Sequence, residues 1–467
     1  MMSSSLQSTV EKAAAIIAKH DYARVFSHYD ADGITSVAII STALLRMGIQ
    51  FHSSIVSKLD KSLIQDLDED LIIICDMGTA QTDLISEYLK DKDVIIIDHH
   101  AAPLTSSIPS STASSSPVII NPHCFTRGGN DEIDGEVCAA GLSYLVARCL
   151  VSDGARNIDL AGLAIAGTLG DKLEIERGLN KTILDEAINE GVITIKKGLK
   201  LGDGKIRELL LFSTDPYIPF VGKPEWVDAF LNKEGIDGDK LLGDLEDEEE
   251  SRLTTALLSQ IRESDVEVPE DALVGTTYKM NLEVVRSGLD FMRMIDACGR
   301  FGKAGIGIGL CMREATMIED AKSLYMQFQN KLVAELNRIE GAGDDGIQEL
   351  SNIFYFYVQA TGITGVLAGI LAEYVHTKKP LIVLNKKDGT DERAATKISA
   401  RCNKKLLAPS EGEGVDLAKA LEKAATAVGG FGGGHPVAAG ASIPNGSEEK
   451  FIASINSIIG EQRRSLS

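Results

Sequence analysis

The sequence has no CxxC pair, no apolar run near the roughly 18 residues a membrane helix needs, and no basic lead before an apolar N-terminal segment. The seven cysteines are odd in number and scattered (75, 124, 138, 149, 298, 311, 402). They form neither a zinc motif nor a disulfide framework, so reduced thiols in a cytoplasm are expected, with no membrane partner and no secretion signal. Also missing are GxxxxGK[ST], HExxH, GxSxG and a GxGxxG after a strand. Their absence removes the phosphate-loop NTPase, the zinc peptidase, the serine hydrolase and the dinucleotide enzyme. Positive charge is scarce too: 47 Lys and Arg face 68 Asp and Glu, for a net charge of −21. A broad duplex-binding surface relies on basic residues, so it is disfavoured, while a narrow groove for one strand is not. Carboxylates in such excess can also gather around bound cations.

What is present is a globular chain of 467 residues, 44% hydrophobic and 25% charged, long enough for two or three domains. Over the first 175 residues apolar runs alternate with helical patterns. "ARVFSH", "LIIICD", "VIIIDHH" and "PVIINP" read as strands, with helices through "ITSVAIISTALLRMG" and "QTDLISEYLKD". Continuous Ile/Val runs suit strands buried on both faces of a parallel sheet. The expected fold class is α/β: a parallel-sheet domain over 1–195, a mostly helical linker or insertion over 196–299, and a second, smaller α/β domain over 300–467. The serine-rich stretch 105–117 reads as a loop, and the acidic run "DLEDEEESR" as a solvated helix face. In the last domain "AGIGIGLC", "IFYFYVQA", "PLIVLN" and "ATKISAR" read as strands, with helices over 318–340, 363–375 and 416–427. "GGFGGGHPVAAGASIP" reads as a glycine-rich loop entering a strand.

The acidic and histidine residues cluster where the predicted strands end. His28, Asp30 and Asp32 follow the first strand, Asp76 ends the second, and Asp98, His99 and His100 end the third. Asp171, in "AGTLGD", follows an apolar helical run. Ligands of an open parallel sheet bind at the carboxyl ends of its strands. Singly, each piece has a commonplace reading as a turn, a helix cap or a surface histidine. Jointly they deliver hard oxygen and imidazole donors to one edge, and three of only eight histidines in the chain are among them. That donor set suits Mn2+ or Mg2+ rather than a thiolate metal.

"HYDADG", "DMG", "DHH" and "GTLGD", in this order, resemble the four motifs of the DHH phosphoesterase superfamily. "SAR" at 399–401 and "GGGHPVAAG" at 432–440 resemble the accessory domain that accompanies DHH in RecJ-type nucleases, and the layout is most similar to archaeal RecJ-like proteins. The motifs span roughly 20–175 and 300–445. One departure is His28, where bacterial RecJ typically has Asp; histidine at this place occurs in archaeal forms and keeps a ligand there. The resemblance implies two divalent cations, Mn2+ preferred and Mg2+ as the alternative. His28, Asp30 and Asp76 would hold one, and Asp32, Asp76, His99 and Asp171 the other, with Asp76 bridging. Two cations about 3.5–4 Å apart clamp a phosphate and activate water. His100 would contact the phosphate or leaving group, and Asp98 would orient a neighbouring histidine or serve structure alone. Ser399, Arg401, Gly432, Gly433, Gly434 and His435 would bind substrate, through backbone amides and an arginine fork. Phe431 would stack on a base or lie in the core.

The function implied is a single-strand exonuclease of the DHH superfamily, acting on DNA or RNA in repair or replication, with the accessory domain facing the site across a cleft that admits one strand. Two rivals carry different implications. One is cleavage of short oligonucleotides or cyclic dinucleotides, as in smaller DHH proteins. The other is a replisome component that binds GINS, as superfamily members with degenerate metal sites do; the four intact motifs favour catalysis.

Overall fold

The computed structural model describes residues 3–100, 116–124, 136–150, 155–343, 346–359, 362–385, 395–407 and 414–464. It is mixed α/β, and the chain packs as two compact units. The first comprises 1–198 and 276–326, the second 199–275 and 327–467. The segment 196–299, set apart in the sequence by its lack of motifs, is shared between them.

In the first unit the strands β1 (Tyr22–Ser27), β2 (Gln50–Ile55), β3 (Leu71–Cys75), β4 (Asp93–Ile97) and β5 (Val118–Ile120) form a parallel sheet in the order β2-β1-β3-β4-β5. Side chains alternate across a sheet. Val25, Ile73, Ile95 and Ile97 therefore pack under helices Ala31–Met47, Ala139–Cys149 and Ala161–Gly170, while Phe26, Ile72, Ile74 and Ile96 pack on the opposite face. Both faces are dry, which is why these strands read as unbroken apolar runs. β2 is the exception. "QFHSSI" is an edge strand, only half-buried, and its polarity hid it from the sequence reading.

One expectation is corrected in this unit. "AGIGIGLC" is not a strand but a helix, Ala304–Cys311. Its alternation of glycine and isoleucine imitates a strand period, but Gly307 serves close packing: a Cβ there would lie 3.3 Å from Ile34 and 3.4 Å from Cys298. Beyond the first sheet, helices Ala161–Gly170 and Gly178–Asn189 are followed by a strand, β6 (Ile193–Leu199), which pairs with β7 (Val274–Met280).

The second unit holds β8 (Gln348–Glu349), β9 (Phe354–Val358), β10 (Leu381–Asn385), β11 (Ala395–Arg401), β12 (Phe431–Gly434) and β13 (Ala438–Pro444). They form a mixed sheet in the order β12-β13-β11-β10-β9-β8, with β9 and β10 parallel. Helices Leu417–Ala427 and Glu448–Arg464 cover one face over Ile382, Leu384, Ile398, Ala400, Ala439, Ala441 and Ile443. The glycine stretch is thus corrected as well: Phe431–Gly434 is an edge strand, not a loop. The acidic run opens helix Asp247–Arg262, whose first turn is closed by a capping box of Glu246 and Glu249. Negative charge at a helix start is favourable. Of the serine-rich stretch 105–117, only the last two residues are among those described. No helix among the described residues is long and apolar enough to cross a membrane.

Candidate metal centre

The site lies where the strand order reverses, at the carboxyl ends of β1, β3 and β4. In parallel sheets the loops diverge there and leave a crevice. After β1 the chain passes through His28 and Tyr29 into helix Ala31–Met47, with Asp30 as its N-cap accepting from the Gly33 amide at 3.0 Å. Position 33 must be glycine, because a Cβ would lie 2.3 Å from the His28 carbonyl oxygen. Asp32 sits in the first turn, 1% exposed, and accepts from the amides of Ala139 (2.8 Å) and Ala140 (2.7 Å) at the start of the Ala139–Cys149 helix. Those two amides aim the carboxylate.

Asp76, directly after β3, has φ 55, a left-handed conformation uncommon for a side chain of this kind. Asp98, after β4, accepts from the amides of Thr79 (2.9 Å), His99 (2.8 Å) and His100 (3.1 Å) and bonds His100 Nδ1 at 2.8 Å. It belongs to none of the close donor groups; it holds both histidines in place. Asp171 ends the Ala161–Gly170 helix. The glycines of "GTLGD" let that helix approach: a Cβ on Gly167 would lie 2.5 Å from Ala140 Cβ and 2.8 Å from Asp32 Oδ1.

Three donor groups result, each with its ligand atoms within 4.8 Å of one another: His28, Asp30 and Asp76; Asp32, His99 and Asp171; and Asp76, His99 and His100. Asp76 stands between the first two, 3.5 Å from His28 Nδ1 through Oδ2 and 3.5 Å from His99 Nε2 through Oδ1. His99 Nε2 lies 3.2 Å from Asp171 and 3.7 Å from Asp32. The structure so gathers all the residues expected to ligate metal, and adds His100 as a close neighbour of Asp76.

Burial and crowding set the charges. Burial and the charges of Asp30 and Asp32 push the Asp76 carboxyl well up. Burial and Asp32 do the same to Asp171, and burial raises Asp32. Burial opposes a proton on His28, but Asp30 and Asp76 outweigh it and lift the imidazole to about 11. His99 is raised by Asp32 and Asp171 against its burial, and His100 by its bond to Asp98. Asp98 is held low by His100 despite burial, and Asp30 by His28. Most telling, Asp76 Oδ2 and Asp171 Oδ2 are buried and make no hydrogen bond, only ring-nitrogen approaches of 3.5 Å from His28 and 3.2 Å from His99. Buried carboxylate oxygens without a hydrogen bond are costly unless a cation meets them. The donor set and these two atoms fit divalent metal ions.

Sequence reasoning missed several supporting residues. Asn121 donates to Thr79 Oγ1 (3.0 Å) and to the His100 carbonyl (2.9 Å), tying down the histidine loop. Its signal was available: it ends β5 as Asp76 and Asp98 end their strands. Gly299, on the Gly288–Arg300 helix, leaves room for the Tyr29 carbonyl, which a Cβ would meet at 1.6 Å. No motif pointed there.

The residues expected to bind substrate lie in the second unit. Ser399 and Arg401 are on β11, Gly432, Gly433 and Gly434 on β12, and His435 follows. Gly432 and Gly434 are required by packing, since a Cβ would lie 2.9 Å from the Leu421 carbonyl oxygen and 2.7 Å from that of Ala438. Phe431 is 70% exposed and has no core role.

Residues 23–168 match the DHH family N-terminal domain and residues 351–461 the DHHA1 domain. An uncharacterised protein of the archaeon Methanocaldococcus jannaschii is 30% identical over 459 residues, covering 96% of each chain. The chain belongs to the DHH superfamily, whose members are mostly phosphoesterases, and it joins a DHH to a DHHA1 domain. Its fold is RecJ-like. A manganese-bound exonuclease RecJ superposes with a TM-score of 0.57 at 18% identity, over 97% of this chain and 94% of that one. The Mn2+ complex of RecJ from Thermus thermophilus gives 0.59 at 17% identity; the chain spans 55% of that protein's length. CDC45 from Entamoeba histolytica gives 0.65 at 12% identity, over 97% and 99% of the two chains.

Proposed function

We propose that the protein is a metal-dependent phosphodiesterase that removes nucleotides from the end of a single strand of DNA or RNA. The carrying observation is the set of donor groups that share Asp76 and His99, with Asp76 Oδ2 and Asp171 Oδ2 buried and without a hydrogen bond. His28, Asp30 and Asp76 would hold one divalent cation and Asp32, Asp76, His99 and Asp171 a second, Mn2+ in preference to Mg2+. Bound there, such ions supply an acidified water and a charge clamp for the phosphate. The chain's own part is positioning: the Ala139 and Ala140 amides aim Asp32, the conformation of Asp76 turns its carboxylate between two histidines, and Asp98 fixes His99 and His100. His100, 43% exposed at its side chain and held at Nδ1 by Asp98, is placed to keep a proton for the leaving oxygen.

In this reading residues 1–195 carry the ligands, 300–467 the substrate contacts, and 196–299 link them in sequence. None of the seven cysteines is in a disulfide, in keeping with a reducing, cytoplasmic setting. The activity fits DNA repair or replication, with GINS or another replisome protein as a further partner. The test is end-labelled single-stranded DNA and RNA of several lengths with Mn2+, beside Asp76→Ala and Asp171→Ala. Stepwise shortening by the wild type and none by the variants is expected. Consumption of only the shortest oligonucleotides would move the assignment to a small-substrate phosphodiesterase. Binding without cleavage would replace it with a strand-binding component.

A further inference from the structure

The stretch 199–275 of the second unit carries no motif and no residue of the metal centre, yet it holds a groove of about 670 Å3 between helices Pro224–Glu234 and Asp247–Arg262. Phe230 lines it from the first helix and Ala256 from the second. The chain's one tryptophan stands on the same flank: Trp226, Phe230 and Lys233 follow one another at i, i+4 and i+7 and so share a stripe. Across the groove Arg252, Ala256, Ser259 and Glu263 repeat at intervals of four, three and four. The stripes buried in the unit are different ones, Val227 and Leu231 on the first helix and Leu253, Leu257 and Ile261 on the second. Each helix thus buries one stripe and turns a second one to the groove. Alternating intervals of three and four are those at which a helix packs along another helix.

A single exposed apolar residue needs no explanation. Trp226 is a different case. It is 60% exposed, with the Lys223 ammonium 5.2 Å from its ring centre, and it continues the stripe of an already formed groove. Tryptophan beside a concave surface is the usual anchor of a protein interface. Charge narrows the occupant. The lining holds Glu234, Asp247, Glu248 and Glu263 against Lys233 and Arg252, and Lys233 pairs with Glu234 at 3.7 Å. Among the described residues Asp247 and Glu248 make no ion pair. A rim of that sign repels the phosphates of a nucleic acid and also a second copy of a chain of net charge −21.

We propose that this groove docks a basic amphipathic helix of a partner protein. Large apolar side chains of that helix rest on Trp226, Phe230 and Ala256, and its Lys or Arg side chains face Asp247 and Glu248. Helix Asp247–Arg262 has 16 residues, so the partner helix is about four turns long, roughly 24 Å. The inference stands apart from the metal centre and from the single-strand reading.

The sole tryptophan is the reporter. The probe is a synthetic 16-residue helix with leucine at the heptad positions and lysine elsewhere, titrated into the full chain; the control is the same peptide with glutamate for lysine. The lysine peptide should shift Trp226 emission to the blue and saturate, and the glutamate peptide should not. Ala256→Phe fills the groove at unchanged charge and should weaken binding by roughly tenfold or more. Asp247→Asn with Glu248→Gln should weaken it roughly 2- to 30-fold, as the loss of two exposed ion pairs implies, and flatten its salt dependence. Thermal unfolding checks the variants, and Ser259→Phe, at an exposed position, stands in if Ala256→Phe does not fold. No blue shift with the lysine peptide would overturn the proposal, as would an equal shift with the glutamate peptide or full binding by the folded groove-filling variant. A shift with oligothymidylate instead would assign the groove to a nucleic-acid strand. A shift on concentrating the protein alone, with dimer in sedimentation, would assign it to a second copy, and either result overturns the partner helix.

Discussion

Asp76 belongs to two donor groups at once, and its carboxyl is driven up by burial and by Asp30 and Asp32. That crowding favours protons on the imidazoles: His28, raised to about 11 by Asp30 and Asp76 against its burial, is an imidazolium at neutral pH when no cation is bound. A metal ion must displace that proton. Mn2+ affinity should therefore rise with pH, by about tenfold per pH unit for each proton released. Calorimetry at pH 6 and 8, in two buffers of different ionisation enthalpy, reads both the affinity and the proton count; an affinity independent of pH would remove His28 from the ligand set. In the ion-free protein the sign on stability is opposite. The raised imidazole stabilises the fold fully below its unfolded value of 6.5, and that contribution fades as pH rises toward 11. Asp98 makes a second case. Its carboxylate accepts from three amides and the His100 ring. Asp98→Asn replaces an acceptor by a donor facing those amides, and should lower activity roughly 10- to 100-fold, the usual cost of losing a ligand-orienting partner. A Mn2+ titration of the variant separates lost metal from lost orientation, and unchanged activity would reduce Asp98 to a structural residue. At this scale the sequence was informative because strand ends concentrate function: seven of the eight Asp and His residues of the centre could be picked out by following an apolar run to its end. Asn121 escaped, although it too ends a strand, because an amide is neither an acid, a base nor an expected metal ligand.

Elements succeed or fail as units of packing, and glycine shows the difference. Gly48 closes helix Ala31–Met47 at φ 77 with nothing near its Cβ position, so Gly48→Ala should cost only the left-handed penalty, about 1–2 kcal/mol. Gly299 sits inside a helix with ordinary backbone, yet a Cβ there would lie 1.6 Å from the Tyr29 carbonyl. Gly299→Ala must push the Gly288–Arg300 helix away from the loop that carries His28 and Asp30, at a cost of about 1–3 kcal/mol or more. Its mark should be a loss of Mn2+ affinity beyond the loss of stability, whereas Gly48→Ala should lose stability alone. Equal Mn2+ affinity in the two variants would show that the helix does not shape the site. The same physics sorts what could be read from the chain. β1, β3, β4 and β5 were legible because both of their faces are buried. β2, a half-polar edge strand, was not, and Ala304–Cys311 imitated a strand because its alternation of glycine and isoleucine matches a strand period, although Gly307 answers to the neighbouring helices. Phe431–Gly434 looked like a loop because glycine carries no strand preference, although β13 pairs with it along its whole length.

The whole chain is interleaved. It leaves the first unit after 198, returns at 276 and leaves again after 326, so the residues that buttress the HYDADG loop stand about 270 positions downstream of it. Motif order could not show this, since no motif falls in 276–326; only packing brings Gly299 against the Tyr29 carbonyl. Two units with separate cores should also respond separately to ligands. In the proposed centre Mn2+ would meet carboxylates that cap, open or follow helices of the first unit. It should slow amide exchange at the starts of Ala31–Met47 and Ala139–Cys149, after Ala161–Gly170, and through Gly288–Arg300. β9 to β13 should not change. A single-stranded oligonucleotide in EDTA should do the converse, slowing exchange in β12 and around His435, the proposed substrate contacts. Hydrogen exchange read by mass spectrometry with each ligand alone decides it. Protection of β12 by Mn2+ alone would mean that the ion's ligands are not confined to the first unit. Oligonucleotide protection confined to the strand ends of β1, β3 and β4 would mean that the metal centre binds the strand without help from β12.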